Sequence, residues 1–503
     1  PLARATLAQE SRNELTQREF DVSRDACQDV SNRDFSSAAR FHKTMPHDDL
    51  GQVDPEAFDA LLNCIAMGDF DICEDIPQGD QNGRLLNPLG GRSVTMAGPS
   101  GYVCVYQNSA DAAAQLAEVY WMSLTRDVPF SKYGENEDTI AAAANLAEMP
   151  GFPEMGGVAA GTDGSPDPLT QLFRSSFVGV ETGPMVSQML VNAFTMDSID
   201  VIPKQATFVP GVDFMTDYES WLLVQNGGGP DDYSEELDTE KRFIRNARDL
   251  ARMVFTDTSV TEAFRGAFVL MDQGAISRSG ANGRYADSTR QEGFVDFGRS
   301  HLVKTLSRLE LSMKAAWYQK WNVHLFARPE ALAGTLHNVV NGLLDVEFDT
   351  SLVNNEELLD RVAAHNAAQN EMKTGTAEET YLLPQGSARG SPAHPTYPAG
   401  HAVQNGAFAT VLKAFVGRDR GRNCFRNPVV PDDDGLELLD WDGECLTING
   451  EINKLATNVA YGRVMLGVHY RADSHEGLLL GEAVAVRTLH QVKYPKPSGE
   501  NGN

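Results

Sequence analysis

The sequence is poor in cysteine, poor in positive charge relative to negative, and without any long apolar run. Six cysteines stand among 503 residues, and none forms a Cys-x-x-Cys pair or a zinc-finger spacing. Dithiol redox chemistry and a structural zinc therefore find no basis. No stretch approaches the ~18 consecutive apolar residues that a membrane-spanning helix needs. Lysine and arginine together number 42 against 70 aspartates and glutamates, a formal net charge of −28. Such a surface repels phosphate backbones and anionic membranes, which excludes nucleic-acid binding as the main business of the chain. Any anionic ligand must be held by a local basic pocket working against the global field. Neither a Cys-x-x-Cys-His haem attachment site nor a strand leading into a Gly-x-Gly-x-x-Gly turn is present, so those cofactors leave no signature. An Asn-x-Ser/Thr sequon is missing too.

What the chain does have is core material and helical periodicity. Hydrophobic residues make up 42% and charged residues 22%, the balance of a globular protein with an ample core. Apolar side chains recur at three- and four-residue steps over 111–125, 240–255, 300–318, 355–369, 401–416 and 452–467. Strand alternation is scarce, and Val186–Asp197 and Val209–Asp217 read either way. The expected fold is mainly α: bundled helices with long loops and few short strands. A Gly-rich stretch, Asn226–Asp232, sets a soft boundary between an N-terminal helical region, 1–230, expected to carry oligomer contacts, and a catalytic region, 231–503. Pro431–Gly435 is acidic but fails the EF-hand spacing at Leu436, so a solvated turn is the better reading than a structural divalent-cation site. Cys64 and Cys73 lie nine positions apart, and Cys424 and Cys445 bracket that acidic loop. Two local disulfides are expected, leaving Cys27 and Cys104 as free thiols, a third bridge or inter-subunit links. This usage points to a secreted protein. Opening on Pro1 rather than Met, with charged residues and no apolar leader, the chain is expected to be processed or trimmed.

In so acidic a chain the informative feature is a C-terminal clustering of cations and histidines. The first of three segments runs from Trp317 to Pro329 and carries Lys320 and Arg328. Eight residues apart on one helix, they would fall about 80° from eclipsed and could share a pocket, with Pro329 ending or kinking that helix. The second is Ser391–His401, where Pro392, Pro395 and Pro398 restrict the loop, Gly400 permits close backbone approach, and two histidines, His394 and His401, are carried. His401 is expected at a helix start, where free N–H groups and the helix dipole favour an oxyanion. The third is Tyr461–Asp473, with Gly467 ending a helix, Arg463 one to two turns back and His469 in the turn beyond. Singly these read as an amphipathic helix with snorkelling cations, a proline-rich turn and a core histidine. Jointly they supply what a tetrahedral, multiply charged oxyanion such as phosphate or vanadate requires.

Lys-x7-Arg-Pro, then Pro-x-Gly-His, then Arg-x5-His resembles the signature of the vanadium-dependent haloperoxidases and the related acid phosphatases. The flanks, including Arg328–Leu332, Gly390–His401, Gly450–Thr488 and the N-terminal Met45–Val53, are similar to brown-algal vanadium bromoperoxidases over nearly the whole chain. The resemblance implies a vanadate cofactor bonded by His469, with Lys320, Arg328, Arg463 and the Gly400 amide on its equatorial oxygens. It implies that His401 is the acid–base group, oriented by Asp257, and that His394 and Trp317 shape the halide pocket. It further implies hydrogen peroxide and bromide or iodide as substrates, hypohalous acid that halogenates small organic nucleophiles, and a place outside the cell or in the cell wall. A homo-oligomer, dimer or hexamer, is implied as well, with Cys27 a candidate for an inter-chain disulfide. Two positions depart from the pattern. The family loop usually reads Pro-Ser-Gly-His, with the serine donating to an equatorial oxygen, whereas this chain has Ala399; and Leu325 stands where relatives often carry Arg. The rival reading is an acid phosphatase in which the same pocket binds phosphate and His469 is the nucleophile.

Overall fold

The computed structural model describes residues 39–80, 83–94, 109–152, 172–196, 198–229, 236–255, 257–258, 260–276, 285, 288–294 and 298–491. Among these, the helices of seven residues or more are α1 (Pro55–Met67), α2 (Ala110–Leu124), α3 (Glu137–Glu148), α4 (Tyr218–Gln225), α5 (Ala247–Met253), α6 (Thr261–Asp272), α7 (Arg299–Ser307), α8 (Glu310–Gln319), α9 (Pro329–Val340), α10 (Glu356–Thr374), α11 (Gly400–Val416), α12 (Ile448–Met465) and α13 (Arg471–Gln491). Strand is confined to three antiparallel pairs: β1 (Phe194–Met196) with β2 (Ile199–Val201), β3 (Gln205–Phe208) with β4 (Leu237–Arg242), and β5 (Val429–Pro431) with β6 (Leu438–Asp440). The fold is mainly α, as the periodicity indicates.

Local chemistry sets the helix ends. The Asn246 side chain accepts from the Asp249 N–H at the start of α5, and the Thr447 hydroxyl accepts from the Gly450 N–H at the start of α12. The Asn246 cap also corrects the sequence reading, because the pattern over 240–255 is not one helix. Residues 240–242 belong to β4, where Lys241 and Arg242 pair with Ala206 and Gln205. The pattern over 300–318 likewise breaks between α7 and α8. Of the two ambiguous stretches, 186–197 holds one helical turn, Gln188–Val191, followed by β1, and 209–217 is irregular apart from a bridge from Phe214 to Gln385.

The packing centre is the pair α11 and α13, whose N-terminal ends lie side by side, the Ala399 N–H donating to the Asp473 carbonyl, with α12 against both. Their approach is set by glycine: a Cβ on Gly481 would lie 1.9 Å from the Val403 carbonyl oxygen, and one on Gly406 would lie 2.1 Å from that of Leu478. Around them one apolar core takes Leu116, Trp121 and Leu190 from before residue 230 and Leu412, Val459 and Leu478 from after it. A buried ion pair between Arg471 and Glu118 ties α13 to α2. A second cluster packs Phe41, Met45, Val53 and Leu61 onto Trp321 and Leu325, sealing the N-terminal segment against the turn that follows α8.

Both expected disulfides, Cys64–Cys73 and Cys424–Cys445, are present; Cys27 and Cys104 lie outside the described residues. In the acidic loop the Asp432 carboxylate accepts from the Leu436 and Glu437 N–H groups, and Arg242 and Arg245 donate to the Asp434 carbonyl. The Asp432 carboxylate is thus committed to the turn, and Asp433 is held by Ser131 and Lys132. Among the described residues no helix is long and apolar enough to cross a membrane.

Candidate active site

The three basic segments meet at the N-terminus of α11. Lys320 is the first residue of a π-helical turn, Lys320–His324, that follows α8 and ends at Leu325 in a left-handed conformation, φ 51°. Residues beyond it run extended, and Pro329 opens α9 rather than ending a helix, as the first position of a helix tolerates a missing N–H. The single-helix register expected for Lys320 and Arg328 is therefore incorrect. A chain reversal, not an eight-residue helical step, brings the two cations together.

The Lys320 ammonium donates to the carbonyls of Pro395 (2.9 Å) and Thr396 (2.6 Å). Arg328 donates from Nε to the His394 carbonyl (2.9 Å) and from Nη1 to the Val468 carbonyl (2.7 Å), and Nη1 lies 3.0 Å from Nε2 of His469. Arg463 donates from one nitrogen to the Val254 carbonyl (2.9 Å), while its Nε is buried without a hydrogen-bond partner among the described residues. Gly400 begins α11 behind Ala399, whose side chain offers no cap, so the first-turn N–H groups lack helical acceptors.

The electrostatics of this cluster are unbalanced. Lys320, Arg328 and Arg463 are 0%, 1% and 6% exposed. Burial, followed by repulsion among the cations, pushes Lys320 far below the ordinary lysine range and lowers Arg328 to about 9; burial alone brings Arg463 to about 10. Among the described residues only Asp473 and Asp257 act on them as close opposing carboxylates, apart from Glu330 near Arg328, which Lys43 already pairs. Burying a charge without compensation is costly, so the arrangement is complete only with an anion bearing several oxygens. An orphaned guanidinium N–H and an uncapped helix start are the donors such an anion would use. The residues present therefore fit vanadate.

His469 fits the role of its ligand. Its Nδ1 lies 2.7 Å from Oδ2 of Asp473, and burial together with Arg328, Lys320 and Arg463 holds the imidazole neutral. With the Nδ1 proton donated to Asp473, Nε2 presents its lone pair beside Arg328, toward the cation cluster. His401 behaves differently. It is partly exposed, its Nε2 is 2.8 Å from Oδ1 of Asp257, and burial lowers its pKa while the Asp257 hydrogen bond raises it. His394 packs against Trp317 with ring centroids 4.7 Å apart and planes tilted by 41°, and its Nε2 lies 3.2 Å from Nη2 of Arg328. The structure thus brings together all nine residues singled out in the sequence. Leu325, by contrast, is buried with Phe41 and Trp321.

Three contributors are not evident from the sequence. Asp473 fixes the His469 proton and also accepts from the Thr396 hydroxyl and the Tyr470 N–H. Its place in the first turn of α13 is the available signal, since a carboxylate there reaches back to the residues just before the helix, here the Tyr470 N–H and the His469 ring. Thr396 and the buried pair Lys43–Glu330 carry no such signal. Lys43 donates to Glu330 and to the Arg389 and Ser391 carbonyls, and Glu330 accepts from the Ser391 N–H, clamping the proline-rich loop from two directions.

A buried oxyanion cradle at a helix start, flanked by two histidines each braced by a carboxylate, defines a helical-bundle oxyanion site. A family model described as the VCPO second helical-bundle domain matches residues 312–495, the region holding most of the pocket. The chain is 56% identical over 490 residues to a vanadium-dependent bromoperoxidase of Ascophyllum nodosum, covering 96% of this chain and 87% of the relative. It is 30% identical to a vanadium-dependent bromoperoxidase of Corallina pilulifera, over 92% and 88% of the two chains. Among solved structures it superposes on a homohexameric second vanadate-dependent bromoperoxidase of Ascophyllum nodosum with a TM-score of 0.84 and 38% identity, covering 97% and 85%. The chain belongs to the vanadium-dependent bromoperoxidases.

Proposed function

We propose that this protein binds vanadate in the cradle described and uses hydrogen peroxide to oxidise bromide, and iodide, to hypohalous acid that halogenates small organic nucleophiles. The carrying observation is the buried excess of positive charge around a neutral, carboxylate-braced His469. Vanadate, when bound, supplies a Lewis-acid centre that activates peroxide without a change of metal oxidation state. Lys320, Arg328, Arg463 and the Gly400 N–H would hold the oxyanion's oxygens, and His469 would ligate it through Nε2. Asp473 keeps the His469 proton on Nδ1, which leaves Nε2 free for the metal.

His401 moves the proton. With Nε2–H donated to Asp257, its Nδ1 carries the lone pair, and the lowered pKa leaves the ring neutral at neutral pH and able to take a proton from peroxide. The overall reaction consumes one bromide, one peroxide and one proton and yields hypobromous acid and water, so His401 also has a proton to return. Lys320 places a positive charge beside the reacting oxygens. His394 and Trp317 wall the site where a halide approaches.

The bromoperoxidase that superposes on this chain is homohexameric, which supports a homo-oligomer here. Disulfide linkage of that oligomer through Cys27 and a location outside the cell or in the cell wall complete the reading. The test is bromination of a simple diketone by metal-stripped protein, with bromide and peroxide, before and after orthovanadate. Activity that appears only with vanadate and is suppressed by phosphate is the expected result. His469→Ala should abolish vanadium binding, whereas His401→Ala should keep vanadate and lose turnover. Full vanadium content in the His469 variant would overturn the ligand assignment.

A further inference from the structure

A cavity of about 660 Å³ leads from the surface to Arg463. Its charged lining consists of Lys43, Arg84, Arg389 and Arg463, with no carboxylate among the lining residues. That is the reverse of the chain as a whole, where acidic residues outnumber basic ones 70 to 42. Exposure grades along it: Arg84 and Arg389 are exposed at the mouth, and Arg463 is buried at the floor. Lys43 adds little, because Glu330 neutralises it. Among the described residues Arg84 has no ion-pair partner, and Asp80, packed beside Gly228 on the wall, does not line the cavity.

The vanadate pocket's own chemistry does not account for Arg84 and Arg389, since of the oxyanion donors only Arg463 lines this cavity. A halide approaching a protein of charge −28 meets repulsion over most of the surface. Exposed cations at the mouth of a cavity focus the field and raise the local concentration of anions. We infer that Arg84 and Arg389 recruit the anionic substrate, drawing halide down this cavity to Arg463, and that they do the same for the incoming oxyanion cofactor. The inference rests on the halide-oxidation reading for its substrate. Hydrogen peroxide is neutral and gains nothing from this field, which supplies an internal control.

The experiment uses the full chain loaded with vanadate and the variants Arg84→Glu, Arg389→Glu and Arg84→Lys. One charge at about 7 Å through water changes a local anion concentration by roughly threefold, and reversal by about tenfold. At ionic strength near 10 mM, kcat/KM for bromide should fall by about that factor in each glutamate variant, mainly through KM, while KM for peroxide stays put. The loss should shrink toward unity in about 0.5 M sodium sulfate, where the screening length is only a few ångströms. Arg84→Lys, which keeps the charge, should restore the bromide value. In the metal-free protein, the rate of vanadate uptake should slow in the glutamate variants with the same salt dependence. Unchanged bromide kcat/KM at low salt, or an equal loss for peroxide, overturns the inference. Should wild-type protein fail to oxidise halide at all, the functional reading falls, and the vanadate-uptake rates still decide the role of the cavity mouth.

Discussion

Restoring a hydroxyl at position 399 gives a prediction with two separable parts. Ala399 is fully buried and adopts φ −65° and ψ 124°, an extended conformation that serine at a helix N-cap readily shares. A serine there has one donor and two acceptor lone pairs. Its oxygen can accept a first-turn N–H of α11, while its proton points to the oxyanion held by Gly400 and the neighbouring cations. The cap is worth about 1 kcal/mol without any ligand. For a chain of this size, with an unfolding entropy near 1 kcal/mol per kelvin, that raises Tm by only about 1 °C. A hydrogen bond to a charged partner is worth ~1.5–3 kcal/mol, which tightens vanadate binding about tenfold or more. Equilibrium dialysis of metal-free protein against orthovanadate, with vanadium quantified, reads the second part, and calorimetry without vanadate reads the first. A vanadate Kd within twofold of the parent, together with the higher Tm, would mean that the side chain caps the helix without facing the oxyanion. The account of Ala399 as a missing cofactor contact would then be refuted.

Other perturbations follow from the same geometry. Asp473→Asn replaces the charged acceptor that fixes the His469 proton with a neutral amide, and vanadate affinity should fall by about 10–100-fold, measured by the same dialysis. Glu262 is buried, and burial, with the Asp257 charge second, raises its carboxyl to about 7. A carboxyl raised in the folded state binds its proton more tightly there than in the unfolded chain. Stability from this group is therefore full below pH ~4.5 and lost as pH rises through about 7. Glu262→Gln should remove that dependence and stabilise the protein at pH 8 by on the order of 2–3 kcal/mol, read by denaturant unfolding at several pH values. An unchanged pH profile would show that Glu262 ionises normally. Gly481→Ala forces a methyl against the Val403 carbonyl, and overpacking at the α11–α13 crossing should cost about 1–3 kcal/mol or more. No loss in Tm would place the helices farther apart than described.

How much of this was legible beforehand depends on the range of the interaction. Periodicity located α2, α10, α11 and α12 to within a few residues because a buried helical face must recur every three to four positions. It failed over 240–255, where pairing with β3 and the Asn246 cap decide the boundary. It failed again between Lys320 and Arg328, where a π-turn and a left-handed Leu325 reverse the chain. The chemistry of the site was legible because its residue types and order are themselves constrained: cations, a glycine at a helix start and two histidines suit one kind of ligand.

The sequence by itself determined the acidic surface, the helical class, both local disulfides and the identity of the cations and histidines that meet at the start of α11. These follow from composition, from short-range periodicity and from motifs whose members carry their own chemistry. Only the tertiary structure decided that three cations would be buried together with few opposing carboxylates. It alone placed Asp473 behind His469, clamped the proline-rich loop with Lys43 and Glu330, and left Arg84 and Arg389 at the mouth of the cavity. The reason is physical: desolvation, field focusing and proton placement depend on distances between residues up to several hundred positions apart. No local pattern encodes those distances.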